Sequence, residues 1–258
     1  MNEVISQDGT RIAFDRQGQG PALVIIGGGP TDRSANGELA DLLSKSFTVY
    51  NYDRRGRGGS GDTAPFGVDR EYEDLAAVIA AAGGPVTMYG TSGGGIIALE
   101  AAARGLAISR LVVWETPYIL EGSREPVPAD YLDRLIALDA EGRRGDMIEL
   151  FLTAAVGMPS EFVAPMKGAP FWGAMEKVAH TLVYDAMITG DFSLPVDRLA
   201  AVRIPTLVVD GGTTPWLTLA AEAVGQAVPG AERRTLDGQP HNVDTATIVP
   251  VITEFLSA

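Results

Sequence analysis

Cysteine is absent from this 258-residue chain, and histidine occurs only twice, as His180 and His241. The first absence excludes disulfides, thiolate metal sites and cysteine nucleophiles. Two imidazoles are too few for a histidine-built metal centre, so neither a metal nor a cofactor is expected. Positive charge is also scarce: 20 Lys and Arg face 33 Asp and Glu, a formal net charge of −13. Such a chain repels phosphate backbones and anionic lipid, and no nucleic acid or membrane is expected as a partner. Its one basic cluster, Arg54, Arg55 and Arg57, is too small to reverse that field and reads as a solvated or ion-paired turn. No apolar run approaches the roughly 18 residues of a membrane span. The opening "MNEVISQDGTR" has no apolar stretch behind a basic one, so a soluble, cytoplasmic protein is the expectation.

What the chain does have is alternation. "PALVIIGGG" (21–29) and "FTVYNYD" (47–53) are short apolar runs ending in turn residues, with the helical spacing of "GELADLLSKS" between them. The rhythm continues with a helix over 71–84, a strand in "PVTMYG", a helix in "GGGIIALEAAARG" and a strand over 109–115. It resumes late with a strand over 204–212, a helix in "PWLTLAAEAVGQAVPG", a last strand in "AERRTLDG" and a closing helix. Apolar strands alternating with helices predict an α/β fold whose mainly parallel sheet is covered on both faces. Residues 118–196 break the rhythm with helical patterns only. They are read as a helical lid inserted into a core made of 1–117 and 197–258.

Glycines crowd one serine in "VTMYGTSGGGIIALEAAARG" (86–105). Gly90-Thr91-Ser92-Gly93-Gly94 fits G-x-S-x-G between a strand and a helix, the setting in which a sharp turn lifts a serine hydroxyl clear of a sheet. Neighbours without Cβ let the strand end and helix start approach closely. The new helix offers free N–H groups and a positive dipole end to any anion formed there.

On these residues the chain resembles the α/β-hydrolase family over essentially its whole length. "LVIIGGGPTD" is similar to the family's first oxyanion loop, with Gly27 where a histidine is common. "YDRRGRGGSGD" (52–62) resembles its D-x-R-G-x-G-x-S turn, and "PTLVVDGG" and "GQPHNVDTATIVPVITEFL" its acid-bearing and histidine-bearing ends. The resemblance implies that Ser92 is the nucleophile, that His241 is its base, and that the backbone N–H groups of Gly29 and Gly93 form the oxyanion hole. His180 falls inside a helical pattern of the lid and is read as structural.

The acid departs from the family pattern. The usual Asp position beyond the late strand reads Gly212-Thr213-Thr214-Pro215 and carries no charge. Two carboxylates stand at strand ends: Glu115, where the haloalkane dehalogenase branch of the fold can place its acid, and Asp210. Glu115 is preferred, with Asp210 as the alternative or as an Asx-type turn residue. Aromatic and methionine residues of the lid, Phe151, Met158 and Trp172 among them, suggest an apolar cavity over Ser92 and a small-molecule substrate with an apolar part. The resulting expectation is a serine hydrolase of carboxylic esters or lactones acting through an acyl-enzyme. A non-hydrolytic enzyme of the same fold (lyase, cofactor-free oxygenase, perhydrolase or cyclase) is the alternative, and a binder of hydrophobic ligands is a third possibility.

Overall fold

Eight strands make one sheet: β1 (Asn2–Ile5), β2 (Arg11–Gln17), β3 (Ala22–Ile26), β4 (Thr48–Tyr52), β5 (Val86–Thr91), β6 (Ile108–Trp114), β7 (Thr206–Gly212) and β8 (Glu232–Gln239). Their order is β1-β2-β4-β3-β5-β6-β7-β8; β1 and β2 are antiparallel and the other pairings, from β4 to β8, are parallel. The computed structural model describes residues 1–258. The α/β class and parallel sheet agree with the pattern read from the sequence. The β1–β2 hairpin was not among the expected strands, although Asp8-Gly9 at its tip is a hairpin signal.

Helices α1 (Gly37–Leu43), α2 (Val68–Ala81) and α3 (Gly93–Ala103) connect the first four parallel strands, β3 to β6. Consecutive strand residues are apolar and feed opposite layers, as burial on both faces requires. Val24 and Ile26 join the layer containing α2 and α3, while Leu23 and Ile25 join the one containing α1. Because β3 is followed by β4 on one side and β5 on the other, the chain reverses direction across the sheet between β3 and β5. Ligand sites of open α/β sheets lie in the crevice at the carboxyl ends of such strands. The glycine loop after β3 and Ser92 after β5 both fall there.

Between β6 and β7 the chain forms helices only: α4 (Tyr131–Ala140), α5 (Arg144–Leu150), α6 (Ser160–Met166), α7 (Trp172–Val178), α8 (Leu182–Thr189) and α9 (Val196–Leu199). A π-helical turn over Phe151–Ala155 follows α5. Helices α10 (Pro215–Ala227) and α11 (Thr245–Ser257) complete the two layers, one on each face. Much of the insertion's apolar content forms a core of its own: Tyr131, Met147, Leu150, Trp172 and Leu182 pack together. Phe162 and Phe171 are exposed, and Tyr118 belongs to the sheet layer.

Candidate functional site

Ser92 sits on the bend between β5 and α3 with φ 53° and ψ −126°, a conformation rare for a residue with a side chain. The strain is held in place from several sides. The Ser92 N–H donates to the Trp114 carbonyl on β6 at 2.8 Å, and the Ser92 carbonyl accepts from the Gly95 N–H at 2.9 Å. A Cβ on Gly90 would lie 2.7 Å from the Gly94 carbonyl oxygen, so the strand and helix can meet this closely only without one. From the neighbouring loop, Gly28 packs so tightly that its Cβ would stand 2.8 Å from that of Ser92. Gly93 opens α3, where an N–H has no partner within the helix.

His241 follows β8 on a loop whose main chain is tied to the sheet, its carbonyl accepting from the Trp114 indole N–H at 2.9 Å. Its Nδ1 lies 2.7 Å from Glu115 Oε2. The Glu115 side chain is fully buried, whereas that of His241 is 40% exposed. Glu115 also has a positive φ of 42°, which turns the residue out of β6 while its N–H still donates to the Val209 carbonyl at 3.0 Å. Its second carboxylate oxygen accepts from the Gly211 N–H at 3.0 Å. This pairing favours the tautomer in which Nδ1 carries the proton and Nε2 presents a lone pair. Ser92 Oγ and His241 Nε2 are not hydrogen-bonded to one another here, a looseness common in unliganded sites of this kind.

Asp210 is buried but turned elsewhere. It accepts from the Gly212 N–H and the Thr218 hydroxyl at 3.1 Å each, from Arg233 at 3.0 Å and from the Thr235 hydroxyl at 3.1 Å. The Gly212 contact is the Asx-type turn anticipated for it. With its four acceptor sites taken by β7, β8 and α10, Asp210 makes no contact with His241.

The loop after β3 is the third component. Gly29 has φ 54°, and its N–H finds no acceptor in the protein. The ring edge of Phe151, in the π-helical turn, stands 3.8 Å from where a Gly29 Cβ would be. Of the insertion's aromatic residues, this one reaches the glycine loop. At the other end of the same segment, Arg124 donates to the Ala154 and Ala155 carbonyls at 2.8 and 2.9 Å and lies over the Trp216 ring. Residues 151–155 therefore touch the loop after β3 at Phe151 and are linked through Arg124 to Trp216 at the start of α10.

The arginine cluster is ion-paired, as one of the two readings held, but it is buried and not solvated. Arg54 grips Glu71 at two points (2.6 and 3.0 Å), Arg55 grips Asp74 at two points (2.7 Å each), and Arg57 reaches both oxygens of Asp185 at 2.8 Å. Burial, and then the neighbouring Arg54 charge, push Arg57 below the usual guanidinium range. Sequence reasoning missed Asp185 as the partner. A usable signal was there: a carboxylate in the apolar helix "LVYDAMI" needs a cation facing it, and "RRGR" holds three. His180 packs beside Asp62, 3.4 Å from its carboxylate, which also accepts from the Tyr184 hydroxyl at 3.0 Å.

This fold, and the glycine-walled serine on its switch-point strand, define an α/β hydrolase. The chain belongs to the alpha/beta hydrolase family, whose model matches residues 23–246. It is 50% identical to an alpha/beta hydrolase from Sphaerobacter thermophilus DSM 20745, with a TM-score of 0.95 over 98% of this chain and 99% of that one. The enol-lactonase of Burkholderia xenovorans LB400 shares the fold at 21% identity, TM-score 0.74, over all of both chains. The pimeloyl-[acyl-carrier protein] methyl ester esterase of Stenotrophomonas maltophilia (strain K279a) is 33% identical over 154 residues, 55% of each chain. The chain spans about half the length of the curated relatives it matches. No helix is long and apolar enough to cross a membrane.

Proposed function

We propose that this protein is a serine hydrolase that cleaves a carboxylic ester or lactone with an apolar part through an acyl-enzyme. The observation that carries the reading is the 2.7 Å pairing of His241 Nδ1 with Glu115 at the sheet edge that also bears the Ser92 elbow. In this mechanism Ser92 Oγ attacks the carbonyl carbon while its proton passes to His241 Nε2. The Glu115 carboxylate holds the ring and balances the imidazolium that forms. The oxyanion accepts hydrogen bonds from the N–H groups of Gly93 and Gly29, both preorganised by the backbone. His241 then protonates the leaving alkoxide, and water releases the acyl group by the same steps in reverse order. Phe151, with its ring edge against the Gly29 loop, supplies apolar cover beside the reacting carbonyl. The argument for a non-hydrolytic enzyme was the uncharged loop after β7, and Glu115 supplies the carboxylate that this loop lacks.

The test is a fluorophosphonate probe with the adduct located by mass spectrometry, followed by turnover of p-nitrophenyl esters of graded acyl length. Labelling at Ser92, its loss in His241→Ala, and turnover are the expected results. A folded wild type that neither labels nor turns over any ester would sink the reading.

A further inference from the structure

The two peptides that flank Gly29, Gly28–Gly29 and Gly29–Pro30, are held by groups outside the Ser92, His241 and Glu115 constellation. The Thr31 hydroxyl donates to the Gly28 carbonyl at 2.8 Å, and the Thr31 N–H donates to the Gly29 carbonyl at 3.0 Å. One arm of the Arg57 guanidinium donates to that same Gly29 carbonyl, while the other grips Asp185 on α8. A peptide unit is planar and trans, so its C=O and the following N–H point in opposite directions, and fixing the Gly28 carbonyl fixes the Gly29 N–H. Glycine at positive φ leaves that conformation at little cost, so an untied loop would rotate this peptide and could turn a carbonyl toward the place the oxyanion needs.

We propose that Thr31 and Arg57 are positioning residues that lock the peptides on either side of Gly29, Thr31 the Gly28–Gly29 peptide and Arg57 the Gly29–Pro30 peptide, so that the Gly29 N–H is presented to the oxyanion, and that Asp185 couples this lock to the seating of α8. The inference rests on the serine-hydrolase reading above. Asp185 is the one carboxylate paired with Arg57, and it also accepts from Arg54 at 2.8 Å, which in turn holds Glu71 on α2. A chain of ion pairs thus runs from α2 through Arg54, Asp185 and Arg57 to the glycine loop. A shift of α8 would remove the carboxylate that aims Arg57 and release the Gly29 carbonyl.

Thr31→Val keeps the shape of a half-buried side chain and deletes only the hydroxyl. Its kcat is expected to fall about 10- to 100-fold, the scale of a displaced oxyanion donor. KM stays within about threefold, because the donor acts on the transition state. Affinity for a trifluoromethyl ketone, which forms a tetrahedral adduct, should fall in parallel, and Thr31→Ser should recover most of the loss. Arg57→Lys should also lower kcat, since one ammonium cannot serve both Gly29 and Asp185 as the fork does. If folded Thr31→Val retains wild-type kcat and trifluoromethyl ketone affinity while the wild type turns over esters, the inference fails alone. If the wild type neither labels at Ser92 nor turns over esters, the hydrolase reading fails and takes the inference with it.

Discussion

Strands β6 and β7 lie side by side, and each carries a buried carboxylate near its end: Glu115 just after the first, Asp210 two residues before the end of the second. One meets a histidine and the other an arginine. The difference begins in the backbone. Glu115 takes a positive φ just beyond its strand, which swings the side chain over the end of β7, where the Gly211 N–H receives it. Asp210 stays in register, paired opposite Thr235 of β8, so its carboxylate remains within the layer and finds Arg233 there. Strained left-handed conformations of this kind cost about 1–3 kcal/mol and persist where surrounding contacts enforce them. Here the β7 backbone does the enforcing. In this pair, the carboxylate that meets the histidine is the one at which the chain leaves the sheet.

The contrast can be broken at its strongest point first. Glu115→Gln should lower kcat about 10³- to 10⁴-fold, the loss seen when a triad acid is neutralised. Asp210→Asn should leave kcat close to wild type; equal losses in the two variants, measured on a p-nitrophenyl ester, would erase the distinction. A sharper version moves the charge: in the Glu115→Gln background, Thr214→Asp should recover about tenfold in kcat by restoring a carboxylate on the loop after β7. No recovery would mean that this loop does not reach the imidazole. Stability should sort the pair in the opposite direction. Asp210→Asn weakens contacts to Arg233, Thr218 and Thr235 and should cost about 1–3 kcal/mol in urea unfolding.

The smallest effect concerns the other histidine. Burial, and then the Arg144 charge, lower the His180 pKa from 6.5, with the Asp62 and Asp139 carboxylates opposing and Arg57 adding to the shift. As pH falls below 6.5, the unfolded chain takes up this proton before the folded one, so stability declines toward acid. His180→Gln should remove that part of the slope. A pH profile of thermal unfolding unchanged by the substitution would show that His180 titrates alike in both states.

The sheet was largely legible because its signals are local: apolar strands, turn glycines and helical spacing in sequence. The Ser92 elbow was legible for the same reason, since its glycines are neighbours along the chain. The β1–β2 hairpin escaped because "NEVISQDGTRIAFDRQ" mixes charged residues into short strands, β1 lying at an edge, and only Asp8-Gly9 marks the turn. The carboxylate partner of His241 could be narrowed by position to Glu115 or Asp210, with Glu115 preferred. The geometry that brings Glu115 to the ring rests on one backbone dihedral and on an N–H supplied by a strand some ninety residues later. Burial of the arginines was hidden in the same way. Arg57 and Asp185 are 128 positions apart, and nothing local tells a buried fork from a wet one.

Two successive residues at the end of β6 moor the histidine loop: the Trp114 indole N–H holds the main chain at His241, and the Glu115 carboxylate holds the His241 ring. A chimera that imports everything after the helical insertion from a relative would bring a loop shaped for a different berth. The smallest transferable cassette is therefore discontinuous: residues 114–115 together with the segment around His241, exchanged as one.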